Sequence, residues 1–246
     1  ADEAADGGGL AAACRTLIDH LGVSIDATGV ENLNQDGPMM ILSNHPGAYD
    51  SVAIGSLVPR KDFRILAGEI PLYHALEKAG PLLIYAPHAS DTAGRMVTLR
   101  KAIEHLKQGG SLLHCGAGTI EPDPAVQPGA VDWLSRWSGS VEIMLRKVPE
   151  TRVVLTVASG VLLKRFFNSP LVYLRRHPVA KRRLAEFMQV LQQLTFPRSV
   201  PAQARLHFAP PVLASQLMEE ASGRRLMPVI VERVRVLLQE QAAQAD

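Results

Sequence analysis

The stretch ILSNHPGAYDS, residues 41–51, places His45 and Asp50 five positions apart at the end of an apolar run. A neutral imidazole is the side chain best suited to remove a proton near neutral pH. It works better when a carboxylate holds its other nitrogen and stabilises the imidazolium that forms. The pair therefore indicates general-base chemistry, with His45 as the base and Asp50 as the residue that orients it.

The chain must bend between these two residues if their side chains are to meet. On a continuous helix, five residues would turn them about 140° apart. Pro46-Gly47 interrupts a helix, and a turn there lets Asp50, in the first turn of the next helix, reach back to His45. The spacing alone favours a plainer interpretation, in which Asp50 only caps that helix.

Strand and helix patterns alternate on both sides of this turn. Parallel strands in such folds carry functional loops at their carboxyl ends, which is where His45 falls. The sequence therefore predicts an α/β fold with a mostly parallel central sheet flanked by helices. We expect residues 1–9 to be disordered and 10–246 to form a single domain. Strands are predicted near 23–25, 38–42, 63–67, 82–85, 111–115, 153–157 and 203–212, and helices at 10–21, 51–57, 71–79, 92–107, 180–194 and 225–241.

The composition is that of a globular chain. Apolar residues make up 47% and charged residues 20% of 246 positions, and the net charge of +2 is too small to indicate nucleic-acid binding. No apolar run reaches the roughly 20 residues that span a bilayer, and no signal peptide is apparent. Two distant cysteines favour a reducing compartment. We therefore expect a cytoplasmic location.

Four ordered segments of the sequence resemble one enzyme family. The segments are SNHPGAYDS, GEIPLYHALEKAGPLLI, LKQGGSLLHCGAGTIEPDP and VVLTVASGVL. In order and spacing they are similar to the four blocks of the glycerol-phosphate and lysophosphatidate acyltransferase superfamily, whose first block is His-x4-Asp. The resemblance covers about residues 10–165.

The resemblance implies direct transfer of a fatty acyl group from a thioester to a hydroxyl or amine of a lipid-like acceptor. His45 would be the base and Asp50 its orienting residue, with Asn44 and Ser51 beside them at the substrate. Gly118 and Thr119 match the third block and would shape the acceptor side. The donor would be acyl-CoA or acyl-ACP, and no metal or other cofactor is implied.

The match fails at the residues that would hold an acceptor phosphate. The family's third-block Glu and Arg align with Ala117 and Ile120, and the second block ends in LLIYAPHAS, with Tyr85 and no Arg. Losing the two arginines removes strong charge-assisted contacts to a phosphate, so we expect an acceptor without the usual phosphate. Glu121 is a candidate replacement for the lost Glu. Displaced bases could instead hold a phosphate, and the candidates are Arg95, His88 and Arg64.

Two other features invite a functional interpretation. Gly116-x-Gly118 follows a strand, but it lacks the third glycine and the helix of a dinucleotide site. His114-Cys115 suggests a thiol nucleophile, although a cysteine at the end of a buried strand is more often a small core residue.

A basic stretch, residues 164–183, mixes aromatic side chains with lysines and arginines. No Asp or Glu occurs between residues 151 and 185. Such a stretch can be a solvated surface, or it can bring aromatics and bases to an anionic membrane. We expect peripheral membrane contact here. Two alternatives to the main prediction stay open: a catalytically silent lipid-binding or acyl-binding module, and an ordinary lysophosphatidate acyltransferase with displaced phosphate-binding residues.

Overall fold

The computed structural model describes residues 1–47, 49–87 and 90–243, and within them eight strands form one sheet between two layers of helices. The order across the sheet is β1-β7-β6-β2-β5-β3-β4, and β8 pairs with β6 beside β7. The strands are β1 Ser24–Thr28, β2 Met39–Ser43, β3 Arg64–Gly68, β4 Leu83–Ala86, β5 Ser111–Cys115, β6 Arg152–Ser159, β7 Gln203–Phe208 and β8 Val212–Leu213.

Ten α-helices lie among the described residues, together with five short 3-10 helices. The α-helices are α1 Gly9–Leu21, α2 Asp50–Leu57, α3 Pro71–His74, α4 Thr92–Lys107, α5 Ala130–Trp133, α6 Ser140–Lys147, α7 Lys164–Phe167, α8 Pro178–Thr195, α9 Ala214–Ala221 and α10 Met227–Ala243. The 3-10 helices are Glu3–Ala5, Val30–Leu33, Gly80–Leu82, Leu134–Arg136 and Pro170–Leu174.

Strand β2 runs through the centre of the fold, and its side chains are completely buried on both faces. Met39 and Ile41 pack on the side of α1 and α2, while Met40 and Leu42 pack on the side of α4, α6, α9 and α10. A strand covered on both faces needs a continuous apolar run rather than an alternating one, which explains the sequence MMIL. Helices on both faces confirm the predicted flanked sheet.

The central strands are parallel, so their carboxyl ends lie at one edge. Ser43 of β2 is level with Cys115 of β5 and Thr156 of β6. Five of the seven strand pairings are parallel, and the antiparallel ones join β6 to β7 and β8. The prediction of a mostly parallel sheet is confirmed. The loops that follow β2, β5 and β6 therefore begin at the same edge of the sheet.

Some predicted elements differ from the structure. The helix predicted over 71–79 ends at His74 as α3, and α5, α6 and α9 were not predicted. In the segment 1–9, expected to be disordered, the structure has a 3-10 helix, and the Asp2 carboxylate accepts hydrogen bonds from the backbone N–H groups of Lys78 and Ala79. These short elements follow from tertiary contacts rather than from a periodic pattern.

Helix α8 has the reverse of the usual amphipathic arrangement. Its buried face carries Arg182, Gln189 and Gln193, in addition to Ala185. Its outer face and C-terminal end expose large apolar side chains, with Phe187, Leu191, Leu194 and Phe196 each at least half exposed. A surface helix normally buries its apolar stripe. The exposed stripe of α8 is thus a surface that water solvates poorly.

Candidate active site

The chain turns sharply after β2 and brings His45 and Asp50 into contact. The Nδ1 atom of His45 lies 2.9 Å from Oδ2 of Asp50. Asp50 is fully buried, whereas 24% of the His45 side chain is exposed. Since Nδ1 is engaged by the carboxylate, the Nε2 atom is the nitrogen left to meet a substrate.

Three further donors fix the Asp50 carboxylate as an acceptor. The backbone N–H of Gly47 donates to Oδ2 over 3.1 Å, and the Ser51 hydroxyl donates to Oδ1 over 3.0 Å. The backbone N–H of Ser51 also donates to Oδ1. Asp50 is the first residue of α2, but the N-cap is Tyr49, which makes no side-chain capping hydrogen bond, so the plainer interpretation of Asp50 as a helix cap is wrong. The Asp50 carboxylate holds His45 instead.

Glu121 clamps the backbone of His45 from the loop after β5. Its N–H donates to the His45 carbonyl over 2.7 Å, and its Oε1 accepts from the His45 N–H over 3.2 Å. Its Oε2 accepts from the Trp137 indole N–H over 3.3 Å. Glu121 is 1% exposed. It is a positioning residue for the turn, a role that sequence reasoning reached only as a candidate replacement for a missing Glu.

Three carboxylates dominate the electrostatics at His45. Burial by itself would lower the pKa of His45, but the charge and hydrogen bond of Asp50 outweigh it, helped by Glu186 and Glu121, and the pKa rises to about 9. Burial also raises the pKa of Glu121 and of Glu186 to about 7. The site is therefore acidic in composition, and it favours a protonated imidazole in the free protein.

Helix α8 is bonded directly to the residue before Asp50. The Gln189 side-chain amide donates to the Tyr49 hydroxyl and to the Val161 carbonyl, and the Tyr49 hydroxyl donates to the same carbonyl over 2.6 Å. The Gln189 carbonyl accepts from the Leu163 N–H over 2.9 Å. Sequence reasoning missed Gln189 and Glu186. The available signal was the placement of polar residues on one face of a helix with an apolar opposite face.

Asn44, predicted at the substrate, is used by the fold instead. Its amide N–H donates to the Ala158 carbonyl over 2.9 Å, and its carbonyl accepts from the Ala158 N–H over 2.7 Å. Both groups are thus paired, and the residue is buried. Asn44 fastens the turn to β6. The Ser51 hydroxyl likewise donates its hydrogen bond to Asp50, and the Cys115 sulfur lies 3.4 Å from the hydroxyl oxygen.

The third-block residues lie at the same edge as His45. Gly118 is exposed in a turn with a φ of +62°, a conformation that side chains other than glycine rarely adopt. Thr119 next to it is half-buried. Tyr85, at the end of β4, donates its hydroxyl to the Gly80 carbonyl over 2.9 Å. The Tyr85 hydroxyl is therefore committed to its own segment.

Arg64, one of the bases suggested as displaced phosphate ligands, lies away from His45. Arg64 starts β3 level with Leu112, three residues before the end of β5, and it donates to the Pro81 carbonyl. That position is about 10 Å from the carboxyl edge, which argues against a role there. Arg95 lies exposed in the first turn of α4. His88 lies outside the described residues.

A metal or a thiol nucleophile is poorly supported here. Donor atoms of His45, Asp50 and Cys115 lie within 4.8 Å of one another, which is close enough for one ion. However, His45 and Asp50 already bond each other, and burial raises the pKa of the Cys115 thiol far above its usual range. A protonated thiol is a weak nucleophile and a weak ligand. His114 beside it is buried, and burial lowers its pKa to about 4.

Comparison with known proteins identifies the fold. No family model matches the sequence, and no curated protein sequence matches it. Among solved structures, the chain resembles the 1-acyl-sn-glycerophosphate (LPA) acyltransferase PlsC from Thermotoga maritima, with a TM-score of 0.60 at 18% identity. The match covers 95% of this chain and 78% of that one. At this identity the likeness concerns the fold, which is the acyltransferase-like α/β fold.

Proposed function

We propose that this protein is an acyltransferase that moves a fatty acyl group from an acyl thioester to a hydroxyl, or amine, of a lipid-like acceptor. The observation that carries the proposal is the 2.9 Å contact between His45 Nδ1 and a fully buried Asp50, at the sheet edge where α/β folds hold their sites. The fold shared with PlsC supports the same class of reaction. Acyl-CoA or acyl-ACP is the proposed donor.

In this mechanism the Nε2 atom of His45 removes the proton from the acceptor hydroxyl. The oxygen then attacks the thioester carbonyl, and the tetrahedral intermediate collapses with loss of the thiolate. His45 returns the proton to that sulfur, so the products are an ester and a free thiol. Asp50 stabilises the imidazolium between the two steps. Backbone N–H groups near the site would stabilise the oxyanion, and Gly118 and Thr119 would shape the acceptor side.

The raised pKa of His45 gives the mechanism a definite pH dependence. His45 acts as a base in its neutral form. With a pKa of about 9, the His45 imidazole is neutral in only about 1% of the free protein at pH 7. Activity should therefore rise with pH through about 9 and then level off. An acceptor that displaces water from the site would alter the balance in the bound complex, so kcat/KM is the quantity to follow.

Replacement of His45 tests the proposal. We expect His45→Ala to reduce thioester-dependent acylation of the best acceptor by roughly 10³-fold or more, because no other described group occupies its place. His20→Ala, an exposed histidine on α1, is the matched control. Folding of both variants is checked by circular dichroism. Undiminished turnover in a folded His45→Ala protein would remove the assigned base.

The alternative of a catalytically silent module makes the opposite prediction. Its motive is the loss of the third-block Glu and Arg, which align with Ala117 and Ile120. A module that only binds acyl groups needs no oriented base, so His45→Ala would leave its binding intact and no wild-type turnover would be found. Any thioester cleavage that depends on His45 excludes this alternative.

We also propose that the protein contacts an anionic membrane peripherally through the basic stretch 164–183 and the outer face of α8. Described helices include none long and apolar enough to cross a bilayer. The supporting surface combines apolar and basic groups: Leu171, Tyr173, Leu174, Phe187, Leu191, Leu194 and Phe196 are exposed, as are Arg165, Arg175, Arg176 and Arg183. Bases attract anionic headgroups while apolar side chains enter the interface.

Vesicle sedimentation tests this contact. We expect binding to phosphatidylserine-containing vesicles that weakens as salt rises through about 0.1–0.5 M, because salt screens the bases. The double variant Phe187→Ser, Leu191→Ser should reduce binding at all salt concentrations. Met96→Ser, Val97→Ser, at an exposed apolar pair on α4, is the control. Binding that ignores salt, lipid charge and the α8 variant would contradict the proposed surface.

A further inference from the structure

A second set of side chains outside the four family blocks holds a buried cation without a counter-ion. Arg182 of α8 is 7% exposed, and its Nε donates to Oε1 of Gln127 over 2.9 Å. Its Nη1 is buried with no hydrogen-bond partner among the described residues. Among those residues Arg182 also makes no ion pair. A guanidinium is always charged, so its burial must be compensated by something.

Arg136 brings a second positive charge to the same place. Its guanidinium carbon lies 4.2 Å from the centre of the Trp133 ring, and that of Arg182 lies 4.5 Å from the same centre. Burial lowers the pKa of Arg182, and the charge of Arg136 lowers it further, while Glu121 partly offsets both. Two like charges held against one ring repel each other, and an anion between or beside them would relieve the repulsion.

Gln127 supplies an additional donor to this cluster. Its Oε1 is occupied by Arg182, and its Nε2 is buried with no partner among the described residues. Buried amide and guanidinium N–H groups are rarely left without acceptors. The orphaned atoms are all donors, which is what an oxyanion with several acceptor oxygens requires. We name Arg136, Arg182, Gln127 and Trp133 the arginine site.

The arginine site borders the proposed active site. Arg136 is followed by Trp137, whose indole donates to Glu121, and Glu121 holds the backbone of His45. Glu186 lies one turn after Arg182 on α8, and its charge acts on His45. A substrate whose reacting group lies at His45 can therefore place a charged group on the arginine site.

We propose that the arginine site binds a phosphate ester carried by one of the substrates of the transfer reaction. The planar fork of Arg182 can meet two phosphate oxygens at once, with Gln127 Nε2 and Arg136 beside it. Stacking on Trp133 holds the guanidinium groups in place. This proposal rests on the proposed function, because it takes the phosphate ester to be a substrate of the acyl transfer. Two sources share this chemistry: the phosphate of an acceptor and the phosphates of the thioester donor.

Direct binding measurements separate these sources without any turnover. Isothermal titration is carried out with glycerol 3-phosphate and with coenzyme A, on the wild type, Arg182→Gln, Arg136→Gln and Arg100→Gln. Arg100 is an exposed arginine of α4 and is the matched control. We expect Arg182→Gln and Arg136→Gln to weaken binding of one ligand at least tenfold, and Arg100→Gln to leave both affinities unchanged. The ligand affected identifies the source.

Because Arg182 is buried, loss of folding is a separate outcome for Arg182→Gln, and Arg136→Gln covers that case because Arg136 is exposed. The proposal is overturned if the wild type binds neither ligand, or if neither variant changes either affinity beyond the Arg100→Gln control. Turnover gives the second readout: the KM for lysophosphatidate, but not for monoacylglycerol, should rise in Arg136→Gln if the acceptor supplies the phosphate. If the wild type catalyses no acyl transfer but binds one of the two ligands in a way that depends on Arg136 or Arg182, the proposed function is refuted and the arginine site is still supported as a phosphate-binding site.

Discussion

His45 and Arg182, two cationic groups that are mostly or fully buried, have opposite surroundings. His45 is bonded to Asp50, feels Glu121 and Glu186 as well, and has its pKa raised. Arg182 is buried to a greater extent, has a second arginine as its neighbour, and has its pKa lowered. His45 is surrounded by carboxylates, whereas Arg182 forms no ion pair with any carboxylate among the described residues.

The difference indicates two roles: His45 exchanges a proton, and Arg182 binds an anionic ligand. Carboxylates around His45 complete its compensation within the chain, which suits a residue that gains and loses a proton during turnover. The arginine site leaves its compensation to a ligand, which suits recognition. The sheet edge thus carries both an acidic centre and a basic centre, and the following variants test that division.

The largest effect is expected from Asp50→Asn. The amide keeps the shape but removes the charge that stabilises the imidazolium and the acceptor that fixes the Nδ1–H tautomer. We expect kcat/KM to fall roughly 10³- to 10⁴-fold and the pKa of His45 to fall, followed by its ring-proton chemical shift in NMR. Asp19→Asn, exposed on α1, is the control. An unchanged His45 pKa would mean that Asp50 is not its charge partner.

A smaller effect is expected from Gln127→Glu, which gives Arg182 the carboxylate that it lacks. The Glu would accept the same hydrogen bond from Arg182 Nε, now with charge assistance, and we expect urea unfolding to report a stabilisation of about 1–3 kcal/mol. Binding of the phosphate ligand should fall. Gln108→Glu, exposed at the end of α4, is the control. A Gln127→Glu protein that is no more stable and still binds the ligand would mean that Arg182 is already compensated.

The smallest effect is expected from Glu186→Gln. Removing this charge lowers the pKa of His45 without touching the His45–Asp50 bond, so the rise of kcat/KM with pH should shift to lower pH. At pH 7 the rate should increase by less than about tenfold, because a larger fraction of His45 is neutral. Glu240→Gln, exposed on α10, should leave the profile in place. A profile that stays put in both variants would remove Glu186 from the acidic centre.

Regular elements with strong local patterns were predictable. Helix α4 and strand β5 have the bounds predicted for them, because a sixteen-residue amphipathic repeat and a short apolar run between glycines and turn residues leave few alternatives. The short helices α5, α6 and α9 were missed, since their residues pack by tertiary contact. Helix α8 was predicted within a few residues, but its reversed polarity was not. A period of 3.6 gives two faces without saying which one is buried.

The candidate site divides in the same way. The His45–Asp50 contact was predictable because Pro46 and Gly47 allow a bend between the two residues and because the family resemblance singled out the pair, whereas the spacing alone favoured a helix cap. The role of Asn44 was not predictable, because its partner, Ala158, lies on another strand. The hydrogen bond from Tyr85 to Gly80 is local, but no sequence pattern indicated it. Glu121 was placed near the site by the family resemblance, yet its clamp on the His45 backbone depends on a loop 76 residues away.

By itself, the sequence determined a mostly parallel α/β sheet and a histidine and carboxylate joined by a tight turn, since both are properties of neighbouring residues. Only the tertiary structure decided which charges surround that histidine, and that Arg136, Arg182 and Gln127 meet at Trp133. Burial and electrostatic coupling depend on distance in space, and residues 46 to 55 positions apart carry no local pattern that records it.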